Sequence, residues 1–229
     1  MTRLSFVTIF GELIAPYFQE AILRKAIARN LFSVETINPR EYTIDKHQKT
    51  DDTPTGGGAG MVMTAQPLFD ALLALKRCSP LVRIVFVTPC AKRFNHHDAK
   101  RLAAYDHIAF VCGRYEGFDE RAIETLADEV LSIGDFVLTG GELPALVIAD
   151  ALVRHIDGVL GSCESLDEES FENARLEAPA FTKPTTFRGL TTPAPLLSGH
   201  HKAIAAFRAQ LGDRKTRYFR PDLLKLPPI

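Results

Sequence analysis

Apolar positions alternate between two periods along the first 160 residues of the chain. Leu4 to Phe10 is a short, nearly continuous apolar run, as a strand shows when both its faces are covered. From Tyr17 to Arg29, Phe18, Ile22 and Ala26 recur at helical spacing and predict an amphipathic helix. Phe32 to Asn38 alternates like a strand and stops at Pro39. Two more runs, RIVFVT (83–88) and HIAFVC (107–112), are rich in β-branched and aromatic residues, and each precedes a turn and a helical pattern. ELPALVIADALVRHI (142–156) reads as a long helix, apolar over most of its surface and therefore packed on two sides. Strand and helix in alternation predict an α/β domain with a mostly parallel sheet over residues 1–160.

The pattern breaks after Gly161. GSCESLDEESFENARLE (161–177) holds six acids and one arginine among few apolar residues, which reads as a flexible acidic linker, set at 161–173. A Pro- and Thr-rich stretch follows, then GHHKAIAAFRAQL, a helix that Ser198 is placed to cap, and the tail RKTRYFRPDLLKLPPI. Residues 174–229 therefore form a second, small and mostly helical domain.

Composition narrows the setting. With 27 Lys and Arg against 28 Asp and Glu, the formal net charge is −1, so any nucleic-acid binding must come from a local patch. Cys78, Cys90, Cys112 and Cys163 are widely spaced without a CxxC, which argues against a disulfide framework or zinc site and fits a reducing compartment. The N-terminus lacks a signal-peptide pattern, and no run nears the ~18 apolar residues of a membrane helix. The expectation is a cytoplasmic protein without a membrane partner.

Three segments are marked by glycines, and the second and third sit where strands should end. GGGAGM (56–61) reads either as a mobile surface loop or as backbone held close to a ligand. CGRYEGFDER (112–121) places Glu116 in a tight turn between Gly113 and Gly117, and Asp119 and Glu120 where acids cap and complement a helix. LSIGDFVLTGGELPA (131–145) has glycines at a strand end but matches neither GxGxxG nor GxxxxGK[ST], and its Asp135 would repel a phosphate. S-adenosylmethionine suits such a site. It has no phosphate, its adenine can be read by exposed backbone, and carboxylates are compatible with its cationic sulfur. TPCA (88–91), CGRYEG and SIGDFVLTGGELP are the strand-end loops expected at one edge of the sheet, where α/β folds bind ligands. Elsewhere, RKTRYFR (214–220) interleaves Arg214, Lys215, Arg217 and Arg220 with two aromatics, a signature for phosphate contacts plus stacking or for a solvated helix end. AKRFNHHDAKR (91–101) is a second basic patch, its His96 and His97 read as surface residues.

Taken in order, the motifs resemble the bacterial tRNA (guanine-N1)-methyltransferases, the TrmD family. The matching residues are NPREYT (38–43), DKH (45–47), DD (51–52), GGGAGM (56–61), QPL (66–68), VCGRYEGFDER (111–121), SIGDFVLTGGELPA (132–145), GVLG (158–161), ESF (169–171), LLSG (196–199) and RPDLL (220–224). The match runs nearly end to end, and the CGRYEG and GGELP blocks are specific to the family. The resemblance implies S-adenosylmethionine-dependent methylation of N1 of the guanosine just 3′ of the anticodon, tRNA position 37. It implies a SPOUT-type fold with a trefoil knot in the C-terminal half of the α/β domain, although true knots are otherwise nearly absent from proteins. The cofactor would be held by Thr88, Pro89, Gly113, Tyr115, Glu116, Ile133, Gly134, Asp135, Phe136, Val137, Leu138, Gly140, Gly141 and Pro144. The family works as a homodimer, the linker and second domain of one subunit covering the site of the other, and magnesium assists its reaction. No metal cage is evident in the sequence. By the same resemblance Arg154 acts at the guanine, and the base that takes the N1 proton sits at Glu169, where the family has aspartate. Asp167 and Glu168 are the alternatives within the linker. Gly11, Phe136 and His200 stand where relatives have proline, tyrosine and asparagine. A diverged homologue that binds cofactor and tRNA without turnover is the rival reading.

Overall fold

A computed structural model of the chain describes residues 1–161 and 169–225. The chain divides into two compact units, 1–161 and 162–229. In the first unit the strands are β1 (Thr2–Val7), β2 (Phe32–Ile37), β3 (Asp51–Asp52), β4 (Val62–Met63), β5 (Arg83–Arg93), β6 (His107–Cys112) and β7 (Glu129–Ser132). Its helices are α1 (Ala21–Ala28), α2 (Ala65–Cys78), α3 (His96–Ala103), α4 (Glu120–Leu126) and α5 (Glu142–Val153).

Five strands form one sheet in the order β2-β1-β6-β5-β7, every pairing parallel. Side chains alternate across it, as a period of two requires. Leu4, Phe6, Val85, Val87, Ile108 and Phe110 join α1, α3 and α5 in one apolar cluster. Val7, Ile84, Phe86, Ala109 and Val111 join α2 and α4 in the other. All six residues of β6 are buried, which is why the run after His107 reads as continuously apolar. At the opposite end of the sheet from the strand-end loops, His107 bridges three elements: Nε2 lies 2.7 Å from Ser5 Oγ and Nδ1 2.8 Å from Ser79 Oγ.

The expected elements are shifted in four places. The first strand ends at Val7 rather than Phe10, because Thr8 turns inward and its Oγ1 accepts the Phe10 N–H at 2.9 Å. The expected helix at 17–29 is instead a 3-10 turn, Ala15–Gln19, followed by α1. The chain bends between them at Glu20, which is extended, and Ala21, whose φ is +49°. This bend lets Phe18 bury against Phe6 and Phe32, with ring centroids 5.8 and 6.1 Å away. The helix expected over 142–156 ends at Val153. In the second unit, the helix α6 runs from His201 to Phe219, so it absorbs most of the tail. Its cap is the His200 imidazole, which accepts the Ala203 N–H at 3.2 Å; Ser198 Oγ accepts from His200 N instead.

Unit two also holds a small hairpin of β8 (Thr186–Phe187) and β9 (Leu190–Thr191). Residues 175–178 lie against α6 at Gly212, where an added Cβ would come within 2.9 Å of Leu176 O. Thr216, fully buried, accepts the Leu176 N–H at 2.9 Å and donates to Gly212 O at 2.8 Å. Most of the acidic stretch read as a linker, including Cys163, Asp167 and Glu168, lies outside the described residues.

Candidate active site

β5 does not run unbroken beside β7. Val87 pairs with Leu131, and so does Lys92; the four residues between leave the ladder. Pro89 has no N–H to give the ladder, which suits a looped-out segment. Parallel strands place the ends of β5, β6 and β7 at one edge of the sheet. The excursion of β5 at residues 88–91 and the segments that follow β6 and β7 are the three strand-end loops expected from the sequence.

The loop after β6 turns tightly. Gly117 N–H donates to Arg114 O at 3.1 Å, and Tyr115 takes a left-handed φ of +59°. A non-glycine residue there stores strain of about 1 kcal/mol or more. Residues 61–63 hold this turn from outside: Glu116 N–H donates to Met61 O, Met63 N–H to Gly117 O and Asp119 N–H to Met63 O, each at 2.9 Å. The two readings of GGGAGM therefore apply to different glycines. Around Gly56 and Gly57 there is open space, whereas a Cβ on Gly60 would meet Glu116 Oε1 at 2.5 Å. Asp119 caps α4 by accepting the Arg121 N–H.

The loop after β7 closes onto the same place. Ser132 Oγ accepts Gly134 N–H and donates to Gly134 O, at 3.1 and 3.0 Å. The Phe136 ring folds over Gly134, where an added Cβ would stand 2.3 Å from it. At the far end Gly141 N–H donates to Gly113 O at 2.7 Å and draws the start of α5 onto the end of β6.

Together these loops enclose a cavity of about 270 Å³. Thr88, Pro89, Gly113, Tyr115, Glu116, Ile133, Gly134, Phe136, Val137, Leu138, Gly140, Gly141 and Pro144 all line it. Asp135 does not; it is exposed and pairs with Arg93 at 3.5 Å. Arg114 and Cys90 line the cavity without having been singled out as site residues. Arg114 is engaged elsewhere, its Nε 2.9 Å from Glu142 Oε2. The approach is that of an ion pair, since neither atom makes a directed hydrogen bond. Glu142 itself is almost fully buried, though its place after two glycines reads as an ordinary helix-opening acid. Beside it, burial above all and then the Glu142 carboxylate push the Cys112 thiol well up, so it stays protonated in the core.

The lining fits S-adenosylmethionine. Ile133, Phe136, Val137, Leu138 and Pro144 supply apolar surface for an adenine, glycine backbone is exposed at its edge, and Glu116 offers a carboxylate to a cationic group. A phosphate would find only Arg114, already paired. Among the described residues no group of three or more His, Cys, Asp or Glu is placed to hold a metal ion. No described helix is long and apolar enough to cross a membrane.

The remaining candidates are divided between the units. Arg154 follows α5 as its C-cap, half-buried, in the first unit. Glu169 belongs to the second unit and lines a separate groove of about 560 Å³ with Arg175, His201 and Arg208. On α6, Arg214 and Arg217 are exposed, as are Tyr218 and Phe219, whose rings meet edge-on at 4.7 Å. Lys215 is half-buried. Arg220 is held by Asp222, Nη2 to Oδ2 at 2.7 Å, and lies 5.5 Å over the Phe171 ring. The second basic patch is similarly committed to the fold: Lys92 pairs with Asp98, Arg93 with Asp135, and Arg101 with both Asp98 and Glu129.

Comparison with known proteins places this geometry in company. The family described as tRNA (Guanine-1)-methyltransferase TrmD matches residues 2–226. A tRNA (guanine-N(1)-)-methyltransferase of Sulfurimonas denitrificans is 52% identical over 222 residues, covering 97% of this chain and 96% of that protein. Proteins of the same name from Campylobacter curvus and Nitratiruptor sp. are 53% and 51% identical, covering 99% and 96% of this chain and 96% of each relative.

Proposed function

The chain belongs to the TrmD family of tRNA (guanine-1)-methyltransferases, and on that premise we propose that it methylates N1 of the guanosine just 3′ of the tRNA anticodon, position 37, using S-adenosylmethionine. The observation that carries this reading is the convergence of three strand-end loops on a glycine-lined cavity that has a carboxylate and no unpaired cation among its described lining residues. The bound cofactor supplies an electrophilic methyl group on a sulfonium. The protein's own work is to hold the guanine, remove its N1 proton and balance the charge that results.

Guanine N1 is a poor nucleophile while protonated, so a general base is required. In this reading Glu169 takes that proton on its carboxylate. Glutamate sets the carboxylate one methylene, about 1 Å, further out than the family's aspartate. Arg154 stabilises the negative charge that develops on the guanine as the proton leaves. Exposed Arg214 and Arg217, beside Tyr218 and Phe219, meet the tRNA backbone and its unpaired bases, with Lys215 and Arg220 at the margin. Residues 161–173 act as the linker to this tRNA-binding domain.

The same reading includes a knotted chain in the C-terminal half of the first unit and a cytoplasmic homodimer. Supporting the dimer are apolar side chains left in the open around the cavity and on α5: Val137 is 82% exposed, Leu143 58% and Val147 44%.

The test is labelled methyl transfer from S-adenosylmethionine to tRNA transcripts with guanosine or adenosine at position 37. Label confined to the guanosine transcript is expected. Equal labelling of both, or of neither, would overturn the proposal.

A further inference from the structure

Behind the cavity wall lies a charged contact between three segments that are far apart in sequence. Glu142 Oε1 accepts the Thr8 hydroxyl at 2.6 Å, across 134 positions of chain. Its Oε2 faces Arg114 Nε at 2.9 Å. The guanidinium is then fixed twice more: Nη1 donates to Thr139 O at 3.3 Å, and Cζ stands 4.4 Å over the Phe10 ring. Thr8 is fully buried and Glu142 2% exposed, so neither has room to relax into water. A lysine at 114 would keep the charge but lose the planar fork that makes these contacts at once. Gly140 leaves the space this requires, since a Cβ there would come within 2.4 Å of Arg114 Nε.

Arg114 is part of the cavity wall and Glu142 is not. We infer that Glu142 is a positioning residue for cofactor binding: it clamps Arg114 between the loops after β6 and β7 and cancels the guanidinium's charge beside a cavity that must accept a sulfonium. The inference rests on the cofactor reading above. Charges in a low-dielectric wall act over several ångströms with little screening. S-adenosylmethionine carries one more positive charge than its demethylated product, S-adenosylhomocysteine, and otherwise nearly the same shape. A purely mechanical clamp would serve both ligands alike; charge cancellation would favour the cation.

Calorimetry on the full chain with each of the two ligands separates these roles. Glu142→Gln keeps the side chain's shape and leaves Arg114 uncompensated. The Kd of S-adenosylmethionine is expected to rise about tenfold more than that of S-adenosylhomocysteine, within the usual range for coupled sites. Thr8→Val, which removes the hydroxyl but no charge, should weaken both ligands by the same smaller factor. Where circular dichroism shows that Glu142→Gln does not fold, Arg114→Gln gives the converse measurement, with the ratio of affinities shifting toward S-adenosylmethionine. Equal changes for the two ligands in the charge variants, or none, would overturn the inference. A wild-type chain that binds neither ligand would instead overturn the cofactor reading beneath it.

Discussion

Adding one methyl group at Gly141 tests whether the cavity depends on contact between backbones. Gly141 sits at φ −82° and ψ −8°, which alanine adopts freely, so Gly141→Ala brings no conformational strain. The cost is steric. The new Cβ would lie 2.6 Å from Gly113 N, 2.8 Å from Cys112 Cα and 3.0 Å from Cys112 C, about 0.8 Å inside ordinary contact at the closest. These are backbone atoms at the end of β6, a strand pinned between β1 and β5, so it is the loop bearing Gly141 that must retreat. Overpacking of this kind costs about 1–3 kcal/mol. Stretching the 2.7 Å bond from Gly141 N–H to Gly113 O would cost about 1 kcal/mol more. For a chain of this size, that lowers Tm by on the order of 10 °C. The same displacement separates two walls of the cavity, and misplacement by about 1 Å can reduce function up to about 100-fold. Thermal unfolding by circular dichroism and calorimetric binding of S-adenosylhomocysteine measure both effects. A variant with Tm within about 2 °C of the parent and unchanged affinity would refute the idea that this backbone contact holds the cavity together.

Three further outcomes are expected. Glu169→Gln should slow single-turnover methyl transfer by roughly 10²- to 10⁴-fold with cofactor affinity unchanged, while Glu169→Asp keeps most activity; a Gln variant at wild-type rate would move the base to Asp167 or Glu168. Arg217→Glu should weaken tRNA binding and flatten its salt dependence without altering cofactor binding, and an unchanged salt slope in filter binding would remove this residue from the tRNA surface. Burial first, and then Arg3, lower the pKa of His107 below its ordinary 6.5. The folded chain thus resists a proton that the unfolded chain accepts, and stability is lost as pH falls below about 6.5. Between pH 8 and 5.5, Tm should drop more for the parent than for His107→Gln, and parallel curves would exclude this histidine as the cause.

The fold was legible where a residue's neighbours along the chain decide its state. β6 declares itself because both faces of the sheet are covered, and every position in HIAFVC after His107 is apolar enough for that. The glycines of the cavity were legible for a similar reason, since close approach of backbones leaves them no substitute. What sequence did not disclose depends on distant partners. Glu142 looks like a helix-opening acid because Thr8, its partner, is 134 residues away. Tyr17 to Arg29 has the spacing of one helix, but burial of Phe18 between Phe6 and Phe32 bends the chain at Ala21. RKTRYF reads as a polar tail but continues α6 to Phe219, because Gly212 and Thr216 pack under Leu176. Asp135 belongs to the loop that forms the cavity, yet its side chain is turned to Arg93.

The break in β5 has an evolutionary consequence. Because Leu131 is paired on both sides of the excursion, the sheet is already closed without Thr88, Pro89, Cys90 and Ala91. Their replacement leaves intact the hydrogen bonds that hold the strands together, although Thr88, Pro89 and Cys90 form part of the cavity wall. Selection for a different ligand edge and selection for a stable fold thus fall on different residues of one strand. A library randomised at these four positions should retain folded members at a far higher rate than one randomised at residues 84–87, where every side chain is buried in one core cluster or the other.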